Sequence, residues 1–329
     1  MSTLRSYSLL IGALLAVMAA SSHAEELVVS NYGVSANGMP FGVALAKGYF
    51  KEEGLNITGL ISSAGGGTTL RNMLAGGGVS YGEVNPVVVV SAVLAGADLK
   101  IVSDNVLTVA EFVWAVRPDS SVKTIKDLKG RKIGYTNPRS TSQALANMLV
   151  EAGGYKRGDV ELVKTGGFGE GVAALESGQV DMVPITEPLW SKYKNKFRAV
   201  IVASDVLPPL DNVVGVATAE MAQKRGDFIR AVIRARRKAV VFMREHPDEA
   251  ADIVAKQYNI DREVALSAVR NLTTSRTKGV PYWGEGDIHL DGLKRMIEAQ
   301  RSVGAITGEV DYNKLIDTRF LPDDLKSVK

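Results

Sequence analysis

Residues 65–79 read GGGTTLRNMLAGGGV, and residues 166–180 read GGFGEGVAALESGQV. Gly65, Gly66, Leu74, Gly77 and Val79 of the first phrase fall on Gly166, Gly167, Leu175, Gly178 and Val180 of the second without a gap. Hydrophobic patterning and turn residues give both copies the same surroundings. In the first half, 26–30 is a short apolar strand. Residues 41–53 have helical spacing at Phe41, Leu45 and Tyr49 and stop at Gly54, and 55–61 is a second strand. The glycine loop, a helix at 69–75 and a strand from Val79 to near Pro86 follow. The second half repeats this order: strand 131–135, helix 142–152 before Gly153 and Gly154, strand 160–164, the glycine loop, helix 172–177 and strand 180–185, ending at Glu187 and Pro188. One βαβαβ phrase written twice predicts an α/β protein of two lobes. Each lobe has a mainly parallel sheet, and the loops at the carboxyl ends of its strands form a ligand crevice.

The glycine phrase resembles a phosphate cradle without being one. Walker-type binding needs GxxxxGK[ST], and neither copy carries the lysine. Gly169, Gly171 and Ala174 match a dinucleotide fingerprint in the second copy only, which argues against nucleotide binding. Glycines just after a strand let backbone approach a neighbour or ligand closely, and the helix start that follows offers free amides.

Of the 329 residues 46% are hydrophobic and 23% charged, an ordinary globular balance with room for two lobes. Residues 1–24 stand apart: Arg5 precedes the apolar run 9–20, and Ser22-His23-Ala24 is a small-x-small cleavage pattern. The run is shorter than the ~20 residues that cross a bilayer, so it reads as a secretory signal peptide cleaved after Ala24. The formal charge of +3 becomes +2 once Arg5 leaves, so the total implies no nucleic-acid partner. The chain has no cysteine, hence no lipidation site and no disulfide, and no later stretch reaches membrane-spanning length, which predicts a soluble mature chain.

After Pro188 the pattern changes. Residues 213–219 read as a strand and 227–245 as a long helix with Phe228, Val232, Ala235, Ala239 and Phe242 on one face. Arg230, Arg234, Arg237 and Lys238 lie mostly on the other; without interleaved aromatics this is a solvated face and not a nucleic-acid groove. Helices at 246–258, 262–271 and 289–303 make a helical tail that returns to lobe one.

Four further phrases carry a family resemblance: GYFKEEGL at 48–55, DLKGRKIG at 127–134, ALESGQVD at 174–181, and Glu187-Pro188. In order and spacing they resemble the periplasmic substrate-binding proteins of nitrate, sulfonate and taurine type ABC importers. That superfamily also includes pyrimidine-precursor binders similar to yeast thiamine-pyrimidine synthases. One departure is Ser80, where the family often has Asp after the Gly-x-Val of the first lobe. The resemblance implies a type II periplasmic binding fold, two βαβ lobes with a hinge and a ligand cleft between them. Lobe one would be 25–116 with 216–329, and lobe two 117–215. It further implies a monomer serving an inner-membrane ABC permease and its ATPase, and an exported binding protein without a cysteine to lipidate is retained only by an outer membrane, which points to a Gram-negative periplasm.

A ligand closes a hinge only if it binds the closed form better than the open one, so contacts are expected from both lobes. From lobe one the candidates are Asn31, Tyr32, Gly65, Gly66, Gly67, Thr68, Glu83 and Asn85. From lobe two they are Arg139, Ser140, Thr141, Gly167, Phe168, Thr186 and Glu187, and Trp283 joins them from a loop of the tail. The segment around Arg139 combines hydroxyls, a guanidinium and a helix start, which suits a sulfonate or carboxylate. Ser140 with Gln143 three residues on also reads as a capping box. Glu83, Glu111 and Glu187 are the opposing signal, as acceptors for an amine or an aminopyrimidine.

The expected function is therefore capture of a small organic solute, most simply an anion, for import. Binding of a pyrimidine-type thiamine precursor and a sensor that docks on a membrane receptor are the alternatives. Catalysis is disfavoured: the related synthases carry a Cys-rich motif and a reactive His. Of the three histidines here, His23 leaves with the leader, and His246 and His289 lie on tail helices. No catalytic residue, metal ligand set or cofactor is expected.

Overall fold

The computed structural model describes residues 24–63, 66–75, 81–156 and 158–328. The leader up to His23 therefore lies outside the described residues, as do Gly65, Gly77, Val79 and Ser80. Lobe one opens with β1 (Glu25–Ser30), α1 (Met39–Ala46), α2 (Tyr49–Glu52), β2 (Ile57–Ser63), α3 (Gly66–Ala75), β3 (Tyr81–Val84), α4 (Pro86–Leu94) and β4 (Leu99–Val106). The chain then enters lobe two through β5 (Phe112–Val116), followed by β6 (Lys132–Tyr135), α5 (Thr141–Ala152), β7 (Glu161–Lys164), α6 (Phe168–Glu176), β8 (Val183–Thr186), α7 (Leu189–Tyr193), β9 (Arg198–Val202) and α8 (Ala203–Val206). It returns on β10 (Val213–Thr218). The tail holds α9 (Ala219–Lys224), α10 (Gly226–Glu245), α11 (Pro247–Tyr258), α12 (Arg262–Thr274), β11 (Arg276–Thr277), β12 (Val280–Pro281), β13 (Trp283–Gly286), α13 (Leu290–Ser302) and α14 (Tyr312–Leu315).

The first sheet runs β13-β4-β10-β3-β1-β2, with β1 parallel to β2 and β3, and β10 antiparallel to β3 and β4. In lobe two β6 is parallel to β7 and bridges Met182 in parallel through Ile133 just ahead of β8, while β5 lies antiparallel between β8 and β9. In each lobe one strand that follows a crossing, β10 in the first and β5 in the second, runs antiparallel to its neighbours, with β13 a second antiparallel strand at the edge of the first sheet. The described part of the first glycine phrase, Gly66–Ala75, is the helix α3 after β2, and the second phrase holds the turn after β7 and the helix α6. Pairing puts residues 112–116 in the second sheet and 213–215 in the first, because strand hydrogen bonds and not the hydrophobic run decide membership.

One local expectation changes, and one stretch without a reading gains an element. The single helix at 41–53 is two, α1 and α2, broken where Gly48 takes a left-handed φ of 74° that a helix cannot continue through. PVVVVSAVL, a β-branched run, is the helix α4, because Pro86 starts it and the Asn85 side chain accepts the Val87 N–H at 2.9 Å. Burial of Val87, Val89 and Val90 outweighs their helix propensity.

The helix α10 buries the five expected apolar residues. Its basic face is neutralised inside the lobe: Arg234 and Lys238 bind Glu53, and Arg237 binds Glu285 and Asp324. No free basic stripe remains there for a polyanion.

The return crossing is held by a pair of buried carboxyls. Asp104 on β4 accepts the His289 N–H at 2.7 Å, and Asp211 lies against it just before β10. Burial lifts Asp104 to about 6 and Asp211 well above the usual carboxyl range; Asp104 pushes Asp211 further up, while the hydrogen bond from Asp211 holds Asp104 down, so the shared proton belongs to Asp211. A raised folded pKa means stability that is complete below pH ~4 and lost as pH rises through the folded values. Asp211→Asn removes the titrating partner, so its urea midpoint should overtake wild type at pH 8 but not at pH 4. An equal difference at both pH values would show that the pair shares no proton.

Candidate functional site

The carboxyl ends of the two sheets meet on one polar floor, and three chains of hydrogen bonds tie the lobes there. In the first, Asn85 after β3 donates Nδ2 to Thr141 Oγ1 of α5 at 3.2 Å and to Asn212 Oδ1 at 3.1 Å. Asn212, ahead of β10, passes its own Nδ2 to Glu111 Oε1 at 2.5 Å. In the second, the Ala36 N–H donates to the Glu187 carbonyl at 3.1 Å, and Asn271 of α12 donates to Glu187 Oε1 at 2.7 Å. In the third, Lys194 after α7 donates to Ser267 of α12 at 2.7 Å. The lobes are in direct contact across the floor.

On the lobe-one side Asn31 turns the chain in a left-handed conformation, φ 53°, one of the few positions where Asn substitutes for glycine. Tyr32 is half-buried, packs edge-on against Tyr258 at 5.2 Å and donates to Gln257 Oε1 at 2.9 Å; burial pushes its phenol up to about 12. Ser63 and Thr69 share a hydroxyl contact at the start of α3, Thr68 accepts from Arg71 at 2.9 Å, and Gly67 is exposed beside them. Gly66 begins α3, and Gly65 is outside the described residues.

In lobe two the hydroxyls around α5 form a closed set. Ser140 caps the helix by accepting the Gln143 N–H at 3.2 Å, and Ser142 bonds Thr136 Oγ1 at 2.8 Å and Ser140 at 2.9 Å. The capping half of the double reading is thus present, but Gln143 returns its bond to the Arg139 N–H at 2.7 Å. Arg139 itself is exposed at φ 64°. Gly167 precedes α6, and Phe168 packs edge-on to Phe112 at 6.0 Å. Thr186 is buried beside Glu187.

Three assignments need revision. Glu83 is not on a cleft loop: it sits fully buried in β3, bonded by Asn105 at 2.7 Å and 3.5 Å from Arg236 Nε, and burial lifts it to about 7 despite the cation. Alternation along β3 turns it toward α10. Trp283 is buried on β13 opposite Val106, not in an open loop, with Tyr282 edge-on at 5.0 Å. Glu187 has both carboxylate oxygens occupied, by Asn271 and by the Ser191 N–H at 3.1 Å, so it serves the joint between lobes. Burial raises its pKa.

Asn212 and Asn271 escaped the sequence reading. Asn212 had a usable signal, an Asp-Asn pair between prolines and the apolar crossing strand; Asn271 had none, since it is a polar residue late in an amphipathic helix. Among the described residues no three His, Asp or Glu side chains are grouped to hold a metal ion, and no helix is long and apolar enough to cross a membrane.

Two like sheets joined by two crossings, with both carboxyl edges on one floor, define a two-lobed periplasmic binding fold. The periplasmic aliphatic sulphonate binding protein SsuA from Escherichia coli has it, with a TM-score of 0.75 at 19% identity over 91% of this chain and 93% of its own. The chain belongs to the NMT1/THI5-like family, which matches residues 35–250. It is similar to a Bacillus subtilis (strain 168) protein named for binding aliphatic sulfonates, at 24% identity over 93% of this chain and 91% of that one. The riboflavin-binding protein RibY of Chloroflexus aurantiacus is 24% identical over 86% and 82%.

Proposed function

We propose that this chain is the periplasmic solute-binding component of an ABC importer, exported by a leader cleaved after Ala24, and that it captures a small organic anion, a sulfonate or carboxylate, by closure of its lobes. The observation that carries the reading is where α5 begins. The amino end of this twelve-residue helix, ringed by Ser140, Thr141 and Ser142, faces Asn85 of lobe one directly. A helix start favours negative charge through its free amides and its dipole, and here it does so at the boundary a ligand must bridge. The sulfonate names among its relatives point the same way. An inner-membrane permease and its ATPase are the partners this reading requires, and solute delivery, not turnover, is the task.

The test is a thermal-shift screen of residues 25–329 against taurine, alkyl and aryl sulfonates, aromatic carboxylates, nitrate and aminopyrimidines. A ligand at a hundred times its dissociation constant adds ~2.7 kcal/mol, several degrees for a chain of this size. Anions are expected to raise the melt, and Arg139→Ala to weaken their binding in calorimetry by about tenfold if the exposed guanidinium folds onto the bound anion. Shifts by aminopyrimidines alone would overturn the anion reading in favour of a thiamine-precursor binder.

A further inference from the structure

Glu111 stands where the chain first crosses between lobes, directly ahead of β5. Its carbonyl accepts the Glu187 N–H at 3.1 Å, which places it at the carboxyl end of β8 in lobe two. Its Oε1 takes the Asn212 amide, and Asn212 N donates to the Val106 carbonyl at 2.8 Å, which places the same carboxyl at the end of β4 in lobe one. Among the described residues, Glu111 differs from its floor neighbour Glu187 in that its second oxygen is unengaged. Oε2 is fully buried and meets no protein donor, whereas both oxygens of Glu187 are occupied. A buried carboxylate with an idle oxygen is costly beside a bound anion, because like charges repel at low dielectric. A neutral carboxylic acid in the same place is an asset, since it carries a donor.

We propose that Glu111 receives the solute as an uncharged acid and donates a hydrogen bond from Oε2 to an oxygen of the bound anion, which makes it a specificity-determining residue. This rests on the anion reading above and deepens it.

The surroundings of Glu111 favour the proton. Asn212 from the β10 side and the backbone favour the charged form, but burial outweighs both and pushes the group up to about 8. Just after β8 the neighbour is another acid, Glu187, and between β12 and β13 it is Tyr282, whose phenol both carboxyls push further up. Glu83, one sheet layer behind, has its charge offset by Arg236. No cation is among the groups that act on Glu111. With Asn212 presenting N–H to Oε1, the proton belongs on Oε2, the oxygen without a partner. An uncharged donor at the floor also explains how a cleft containing two buried glutamates can accept an anion at all.

The experiment is calorimetric titration of the full mature chain with ethanesulfonate from pH 6 to 9.5, in pairs of buffers of different ionisation enthalpy. The sulfonate stays ionised throughout, so any pH dependence belongs to the protein. A bound anion raises the pKa of the acid that donates to it, so binding should take up no proton at pH 6 and close to one at pH 9. Affinity should fall by about tenfold per pH unit above ~8. Glu111→Gln keeps a donor and cannot titrate; its affinity should be flat with pH and exceed that of wild type by about tenfold at pH 9. Binding that strengthens with pH, takes up no proton, or falls equally in Glu111→Gln would overturn the proposal while leaving the anion reading intact. Absence of ethanesulfonate binding at every pH would overturn both. If the variant does not fold, the proton count of the wild type decides alone.

Discussion

Arg236→Met is expected to cost about 3–5 kcal/mol of stability, the largest loss we foresee from any single substitution. Arg236 is a fully buried cation on α10 whose Nη1 donates to the Gly284 carbonyl at 2.7 Å and whose Nη2 donates to the Asn105 carbonyl at 2.6 Å. Its Nε lies 3.5 Å from Glu83 Oε2 but is not aligned for a hydrogen bond, so the pair is an ion contact and not a fork. Methionine matches the length of the stem and leaves two carbonyls without the Arg236 donors and a buried carboxylate, bonded by Asn105, without its counter-ion. Removing one partner of a buried pair is worse than removing both. The double variant Glu83→Gln, Arg236→Met should therefore recover more than half of the loss in urea unfolding. The sign of the pH dependence follows from Glu83, already lifted to about 7. Without Arg236 its folded pKa rises further, so stability present below pH ~4.5 is lost over a wider span as pH increases. The single variant should suffer more at pH 8 than at pH 5. A loss under 1 kcal/mol, the same at both pH values, would mean that Arg236 is solvated and not buried.

Asn212→Ala is expected to weaken solute binding by at least tenfold while lowering stability by about 2–4 kcal/mol. The Asn212 amide is bonded both to the first crossing, through Glu111, and to Asn85, which reaches Thr141 on α5. Its loss leaves Glu111 without a side-chain donor and frees Asn85 from one of the bonds that aim it across the cleft. A destabilised closed form lowers apparent affinity by the fraction no longer competent, and 1.4 kcal/mol suffices for a factor of ten. Small-angle scattering should show the variant with a larger radius of gyration than wild type in the presence of ligand. Unchanged affinity with reduced stability would assign Asn212 to folding alone.

The repeated phrase made the two-lobe plan legible because its glycines and apolar residues answer local geometric demands that sequence records directly. A strand must end, the backbone must turn with little side-chain bulk, and a helix must begin. The same holds for the buried stripe of α10. Local reading failed where the deciding partner is remote. Gly48 breaks a helix that spacing alone continues. Arg234, Arg237 and Lys238 read as a free basic face until Glu53, Glu285 and Asp324 arrive from elsewhere.

The candidate site divides along the same line. Asn31, Tyr32, Asn85, Ser140, Thr141 and Glu187 stand at strand ends, and strand ends can be read from hydrophobic runs and turn residues. Glu83 stands one residue before such an end, and alternation turned it inward to Arg236. The chain by itself determined which loops border the crevice, because period and punctuation are properties of neighbouring residues. Only the tertiary structure decided which polar groups there are already engaged and which, like Glu111 Oε2, are not. Hydrogen-bond saturation depends on donors such as Asn212 and Asn271, brought in by strands and helices far along the chain.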